Sequence, residues 1–267
     1  LDDTVRYVMT LNNDTRIDPD CISRLVVGLE RYPHIGSVTP KILYLDDVKM
    51  IDSIGMLVSR DGGGISRGYK EMDHGQYDVP TEIFGASACS ALYRREAFED
   101  IRYRNEFFDT SFFAYYEDID LAWRLQLRGW TSESCPSACV LHVHSGTSIS
   151  YSPFKAYHVN RNRFFLIIKN FPLRHLVRAL LMTPYRYLTL LNSMLFRKKG
   201  PSYFLREKTS IFRPFFIVLT GWASVLLHLP FLLIKRYTIQ SHKKISQTAI
   251  DTLFATYAVP VDDMIYK

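Results

Sequence analysis

Cysteine is scarce: Cys21, Cys89, Cys135 and Cys139 are the four in a chain of 267 residues. That is too few for a disulfide framework, so a reducing compartment is the default expectation. Internal repeats and low-complexity tracts are absent, and 47% hydrophobic with 22% charged residues excludes the disordered and collagen-like classes. Acidic residues are nearly missing from one half. Residues 1–150 hold 15 Lys+Arg against 23 Asp+Glu, a net of −8, whereas residues 151–267 hold 18 against 4, a net of +14. The overall charge of +6 describes neither half. A partner inferred from the pI of about 9.0 would therefore be assigned to the wrong surface. No glycine-rich phosphate loop sits between a strand and a helix pattern. The Asp61-Gly62-Gly63-Gly64 run reads as a hairpin turn instead.

What is present begins with a polar stub, Leu1-Asp2-Asp3, running into Tyr7-Val8-Met9-Thr10-Leu11. That apolar-rich run reads as a buried strand paired with something upstream, so an N-terminal part outside this sequence is expected. Asn12-Asn13-Asp14-Thr15 follows as a loop. Asp18 before Pro19 then marks a helix N-terminus, with the helix running to about Arg31 before Tyr32-Pro33. Strand, loop and helix in this order are one repeat of an α/β sheet, whose strand-end loops hold ligands. Residues 35–84 read as short strands and turns, and a second helix follows Tyr93-Arg94-Arg95. A third runs from Tyr116-Glu117-Asp118 through Ile119–Arg128 to a stop at Gly129, with Ile119, Ala122, Trp123 and Leu125 on its apolar face and Asp120–Arg124 as a charge pair. Residues 138–144 read as a strand.

Beyond residue 150 the sequence is helical, aromatic and basic, with Pro172 and Pro184 as breaks or kinks. Residues 214–234 carry no formal charge, about the span of a bilayer core, but Pro214, Gly221, His228 and Pro230 interrupt them. A re-entrant or interfacial hairpin is at least as good an expectation as a clean span. Three parts follow: an acidic α/β region over 1–150, a basic, aromatic-rich, membrane-associating helical region over 151–245, and a tail over 246–267.

Three polar clusters can carry chemistry. Asn12, Asn13 and Asp14 at a strand end offer hard oxygen ligands suited to Mg2+ or Mn2+, or form an Asx-rich turn. Glu117, Asp118 and Asp120 place three carboxylates within four positions; they serve the helix dipole, or repel until one becomes a general base. His142 and His144 follow Cys135 and Cys139, but the spacing is wrong for a zinc finger and Cys139 faces away from both histidines in a strand. One histidine helping to hold a divalent ion, or a satisfied half-buried histidine, are the two readings. Arg94 and Arg95 either assist a diphosphate or form a solvated helix start.

Together and in this order the clusters resemble the large family 2 of inverting, nucleotide-sugar-dependent glycosyltransferases with the GT-A fold, in its bacterial rhamnosyltransferase-like branch. The matching stretches are LNNDT (11–15), RGYKEMDHGQYD (67–78), ALYRREAFEDI (91–101), FFDTSFFAYYEDIDLAWRLQLRGW (107–130), HVHSGTS (142–148) and SPFKAYHVNRNRFFLIIKNFP (152–172). The resemblance implies an α/β GT-A (Rossmann-like) mixed sheet, here missing its N-terminal strands, followed by a helical C-terminal region. It implies Asp14 as the main metal ligand, with asparagine standing at the family's first acidic position, and His142 completing the site with His144 as second choice. It implies Asp118 as catalytic base, Glu117 shaping its ionisation, and Asn12, Asn13, Glu117 and Asp120 toward substrate. The family's donor base and ribose are bound by units preceding the LNND strand, so a full donor site is not expected within this chain. Glu106 or Phe107 and Thr110 replace the glycine and glutamate that often flank the family's Phe-Asp pair, a change toward acceptor choice.

The function expected is transfer of a sugar, rhamnose by resemblance, from a nucleotide-sugar donor to a hydroxyl of a glycan or lipid-linked acceptor at the cytoplasmic face of a membrane. A membrane-bound, catalytically degenerate glycan-binding scaffold is the alternative. No nucleic-acid partner is expected, because the basic residues are interleaved with Leu, Phe and Tyr and match no nucleic-acid-binding module.

Overall fold

The computed structural model describes residues 2, 4–143, 152–197 and 212–266. In chain order the elements are β1 (Tyr7–Leu11), β2 (Thr15–Ile17), α1 (Cys21–Leu29), β3 (Ile35–Tyr44), β4 (Ile51–Ser53), β5 (Met56–Val58), β6 (Gly64–Ser66), β7 (Glu82–Ile83), β8 (Ser90–Arg94) and α2 (Arg95–Asp100). A 3-10 turn (Thr110–Phe112), α3 (Glu117–Leu127), β9 (Thr131–His142), α4 (Pro153–Asn170) and α5 (Leu173–Asn192) follow, α5 running into a π-helical turn at Ser193–Arg197. The chain closes with α6 (Arg213–Ser241), α7 (Gln247–Tyr257) and α8 (Val261–Tyr266).

The main sheet has seven strands along the order β1-β8-β3-β9-β2, with β4 on β3 and β7 on β9. β3 and β9 are parallel, and β8 is antiparallel to both β1 and β3. β1, β3 and β9 therefore point the same way and end at one edge, at Leu11, Tyr44 and His142. Carboxyl ends of parallel strands are where open α/β sheets gather ligands. The β3–β9 register shifts between Pro40 and Lys41, where Cys135 and then Cys139 are the partners. Pro40 and Pro136 sit at this shift, and proline, which cannot donate to a ladder, belongs at such a bulge. Pro40 disguises β3, a ten-residue strand in a region whose sequence reads as short strands and turns, and Pro136 likewise hides that β9 begins at Thr131, well before the strand expected from 138. β1 is half-buried, and its neighbour among the described residues is β8, downstream of it.

Other local differences have simple causes. The first helix starts at Cys21 after Asp20, two residues beyond the Asp18-Pro19 signal, because Cys21 N–H closes a turn onto the Asp18 carbonyl at 3.0 Å. The Asp61 to Gly64 run is the expected turn, joining the antiparallel pair β5 and β6. α3 has the expected face, and Gly129 follows its end at φ 86°. Every residue from Ile119 to Leu127 is buried, so the surface-helix pattern describes an interior helix.

The C-terminal helices belong to the core. Phe164, Phe165, Leu166 and Ile167 of α4 and Phe254 of α7 share one apolar cluster with Phe84, Phe112 and Trp123. The segment 246–267 is expected as a tail, but its residues 246–259 are packed: Ser246 caps α7, Tyr257 Oη donates to Glu82 at 2.8 Å and Val259 N–H donates to the Val58 carbonyl at 2.8 Å. α6 is one continuous helix of 29 residues, with Pro230 inside it, so of the two expectations for 214–234 the hairpin does not form. It crosses α4 closely at Gly221, where a Cβ would stand 2.6 Å from Asn160 Nδ2. The mixed α/β sheet and the helical C-terminal region are both as the resemblance implies.

Candidate active site

The loop after β1 is fixed by its ends. Asn12 N–H donates to the Cys89 carbonyl at 2.9 Å, Thr15 Oγ1 donates to the Asn12 carbonyl at 2.6 Å, and Val143 N–H donates to the Asp14 carbonyl at 3.0 Å. Thr15 pairs with His142 across β2 and β9, which brings Asp14 to the end of β9. His142 Nε2 lies 3.3 Å from Asp14 Oδ1. Its other nitrogen, Nδ1, is 2.6 Å from Asp52 Oδ2 on β4. Burial alone would lower the His142 pKa, but the Asp52 hydrogen bond and charge, together with the Asp14 charge, raise it. A carboxylate bonded to one imidazole nitrogen fixes the ring and leaves the other nitrogen aimed, an arrangement found behind histidine metal ligands.

Asp52 carries no signal in the sequence reading beyond being an acidic residue inside the apolar run Ile51-Asp52-Ser53-Ile54. A buried carboxylate on a strand needs a partner, and that requirement is the clue that was there to use. His144, the second-choice histidine, lies outside the described residues. Cys135 is not near this chemistry: it packs under α1, its Sγ 3.4 Å from the Arg24 carbonyl oxygen. Arg94 is likewise structural, donating to the Leu29 carbonyl at 2.7 Å and pairing with Glu30 at 3.0 Å.

The second acidic cluster divides by burial. Asp118, on the first turn of α3, has its pKa pushed up to about 7, by burial first and by the neighbouring Glu117 charge second. Glu117 is itself raised by burial, and its Oε2 is buried with no hydrogen-bond partner among the described residues. A carboxyl group poised near neutrality can accept a proton at the pH of the cell. Asp120 is fully buried and goes elsewhere. It accepts from Arg124 Nε at 2.9 Å and Asn170 Nδ2 at 2.7 Å and pairs with Lys169 at 2.9 Å. Lys169 also pairs with Asp109, which Lys235 of α6 meets at 2.6 Å.

The two clusters meet around Cys89, just before β8. Burial first, and then the charges of Asp52, Asp14 and Asp118, all raise its thiol pKa. The strand-end carboxylates and the helix-start carboxylate are therefore near enough for their charges to act on one buried thiol beside Asn12, whose N–H donates to the Cys89 carbonyl. Two cations border this cluster that the sequence reading did not single out. Lys155, on the first turn of α4, lies with Nζ 5.4 Å from the Tyr115 ring centroid. Its pKa is lowered by burial and by Lys70, with Asp52 opposing. Asn12 and Asn13 are exposed on the loop above.

The entry to α3 is strained. Phe113, Tyr115 and Tyr116 have φ of 64°, 65° and 76°, a region that costs a non-glycine residue on the order of 1–3 kcal/mol. Three such residues lie within the four positions that lead directly into the Glu117-Asp118 pair, so the surrounding structure must hold this segment against its own backbone preference.

Two curated relatives, the N-acetylglucosaminyl-diphospho-decaprenol L-rhamnosyltransferases of two Mycobacterium tuberculosis strains, are each 28% identical over 160 residues. The match takes in 55% of this chain and 50% of each relative, so the chain spans about half the length of the curated relatives it matches. A crystal structure of GalNAc-T7 with UDP, GalNAc and Mn2+ superposes on 60% of this chain and 34% of its own, with a TM-score of 0.40 at 10% identity. The family model described as glycosyl transferase family group 2 matches residues 7–258, from β1 through the end of α7. The chain therefore belongs to glycosyl transferase family group 2.

Proposed function

We propose that this chain carries the reacting part of a sugar-transfer site: a nucleoside diphosphate sugar is the donor, L-rhamnose by likeness to the mycobacterial relatives, and a hydroxyl of a glycan or lipid-diphosphate-linked acceptor attacks it with inversion. The observation that carries this reading is the convergence of Asp14, Asp52 and Asp118 around Cys89 at the carboxyl ends of β1, β3 and β9. In a single displacement the acceptor hydroxyl must lose its proton as it attacks C1, and Asp118 is the group poised to take it. Glu117 keeps Asp118 basic by repelling a second negative charge beside it.

The leaving diphosphate needs positive charge. Asp14 Oδ1 and His142 Nε2, side by side with the imidazole anchored by Asp52, are a donor set that fits a divalent cation completed by phosphate oxygens. Such a cation, Mg2+ or Mn2+, would supply Lewis-acid stabilisation of the departing diphosphate. Lys155 and Lys70 border the same cluster and add to that field. Asn12 and Asn13 line the donor side. Asp120, enclosed by Arg124, Lys169 and Asn170, holds α3 in place and does not reach substrate.

The test is transfer by the full-length protein against an Asp118→Asn variant, with a nucleotide-activated L-rhamnose and an N-acetylglucosaminyl-diphospho-polyprenol acceptor. Loss of about 100-fold or more in kcat with the protein still folded is expected. Equal rates for the two proteins would leave a glycan-binding scaffold as the better description.

A further inference from the structure

The loop that delivers Glu117 and Asp118 is kept in shape from outside. Phe113, at φ 64° and ψ −56°, is the centre of a γ-turn in which Ala114 N–H donates back to the Phe112 carbonyl at 2.8 Å. This turn is the rare, strained form of its class, and no glycine occupies it. Phe113 is 78% exposed, so apolar burial of its own side chain does not hold it there.

Two adjacent residues of α4 do. Asn162 is fully buried, and its Nδ2 donates to the carbonyls of Phe112 at 3.0 Å, Ala114 at 2.7 Å and Tyr115 at 2.8 Å. Arg161, also buried, donates through Nη2 to the carbonyls of Ser111 at 2.9 Å and Phe112 at 2.8 Å. Arg161 Nε donates to Asn162 Oδ1 at 2.9 Å, which fixes the amide so that its NH2 group faces the loop. The turn itself gives the Phe112 carbonyl the Ala114 N–H, but the carbonyls of Ser111, Ala114 and Tyr115 have lost their regular backbone partners and need donors from elsewhere. One amide and one guanidinium supply those donors, and do so only when the loop has this conformation. Tyr116, at φ 76°, then passes directly into the first turn of α3.

We propose that Asn162, oriented by Arg161, is a positioning residue for the catalytic base: it clamps residues 111–116 so that Asp118 is presented to the acceptor hydroxyl. The proposal rests on the sugar-transfer reading for its catalytic consequence, and on the hydrogen bonds alone for the clamp. Neither residue touches the reacting atoms.

The clamp is tested with Asn162→Ala and Asn162→Asp in the full-length protein, the second keeping the side chain's size while turning an acceptor toward the three carbonyls. Nucleoside diphosphate release is followed with whichever donor the wild type turns over from a panel of UDP-, GDP- and dTDP-sugars. Both variants should lose about 100-fold in kcat while the donor KM stays within about threefold, as expected for a misplaced group and not for a lost binding contact. Adding Phe113→Gly to Asn162→Ala should recover part of kcat, because glycine enters the positive-φ region without the clamp. Hydrogen exchange gives a readout independent of turnover: amides of 112–118 should exchange at least about tenfold faster in Asn162→Ala, with β3 and β9 still protected. If Asn162→Ala does not fold, Arg161→Lys carries the same test with smaller changes in the same direction. Unchanged exchange at 112–118 overturns the clamp, as does a kcat loss that merely tracks a loss of folded protein. An inactive Asp118→Asn beside a fully active Asn162→Ala overturns the clamp alone. An active Asp118→Asn overturns the sugar-transfer reading, while hydrogen exchange still decides the clamp.

Discussion

Two opposite pulls act on Asp118. Its place on the first turn of α3 favours the carboxylate, through the helix dipole and the Ile119 N–H at 2.8 Å, yet burial and Glu117 win and leave the pKa near 7. A base must be deprotonated to act, so activity should rise with pH across an acid limb near 7, not near the ordinary aspartate value. Glu117→Gln removes the like charge and should shift that limb to lower pH. A pH–rate profile of kcat/KM measures both, and a wild-type limb at pH 4 to 5 would refute the assignment. Asp52 supplies a second residue-scale prediction. Asp52→Asn keeps the shape but weakens the hold on His142 Nδ1, so the Mg2+ or Mn2+ concentration giving half-maximal turnover should rise about 10–100-fold. A metal titration with saturating donor checks it.

At the scale of elements, α3, α4 and α6 are joined by buried charge. Asp120 and Arg124 of α3, Lys169 of α4 and Lys235 of α6 converge with Asp109, which caps the 3-10 turn leading to the active-site loop. Burial opposes charge on Asp109, but Lys169 and Lys235 overcome it and hold its carboxyl well below the usual range. Removing one member leaves its partners charged and buried, so Lys169→Met should cost about 3–5 kcal/mol in denaturant unfolding of the purified protein. The lowered carboxyl also has a pH signature. A carboxylate whose folded pKa is depressed contributes stability above the unfolded value of about 4, and that contribution is lost as pH falls below it. The wild type should therefore lose stability below about pH 4 more steeply than Asp109→Asn, as followed by unfolding midpoint against pH.

The whole molecule redistributes the charge asymmetry of the chain. Part of the +14 half turns inward: Arg161, Arg163, Lys169 and Lys235 are buried, and Arg186 and Lys169 pair with Asp61, Asp109 and Asp120 from the acidic half. The helical half is thus built into the catalytic core, and its basic excess is only partly available to a surface. What it presents outward is apolar. α6 is long and apolar enough to cross a membrane, and only 22% of its most apolar window is buried; Leu227 on it is 82% exposed and Leu181 on α5 is 76% exposed. Apolar side chains left exposed along two long helices are of the kind used in membrane or partner contacts. We infer that α5 and α6 seat the active site against lipid, which suits a lipid-linked acceptor. Changing Leu181, Leu188, Leu226 and Leu227 together to Glu should at least halve the fraction pelleting with anionic vesicles; recovery of the wild type in the soluble fraction after low-salt lysis would count against it.

The division between sequence and structure follows the range of the forces involved. The Gly129 stop, the Gly-rich turn and the apolar face of α3 depend on residues within a turn or two of each other, and the sequence alone determined them, whereas the first helix begins two residues beyond its sequence signal. The pairing of an LNND loop with an acidic helix start was legible too, because those residue types suit cation binding and proton transfer wherever they fold. Tertiary structure decided the rest. Only the β2–β9 register puts Asp14 beside His142, and only β4 on β3 brings Asp52 behind it. Burial separated the three carboxylates of 117–120 into a pair whose pKa values are raised and an internal counter-ion held by Arg124 and Lys169. The helical half illustrates the same point: composition showed that it was basic and apolar, but solvent exposure, which depends on every neighbour, decided which of those charges face water and which hold the core.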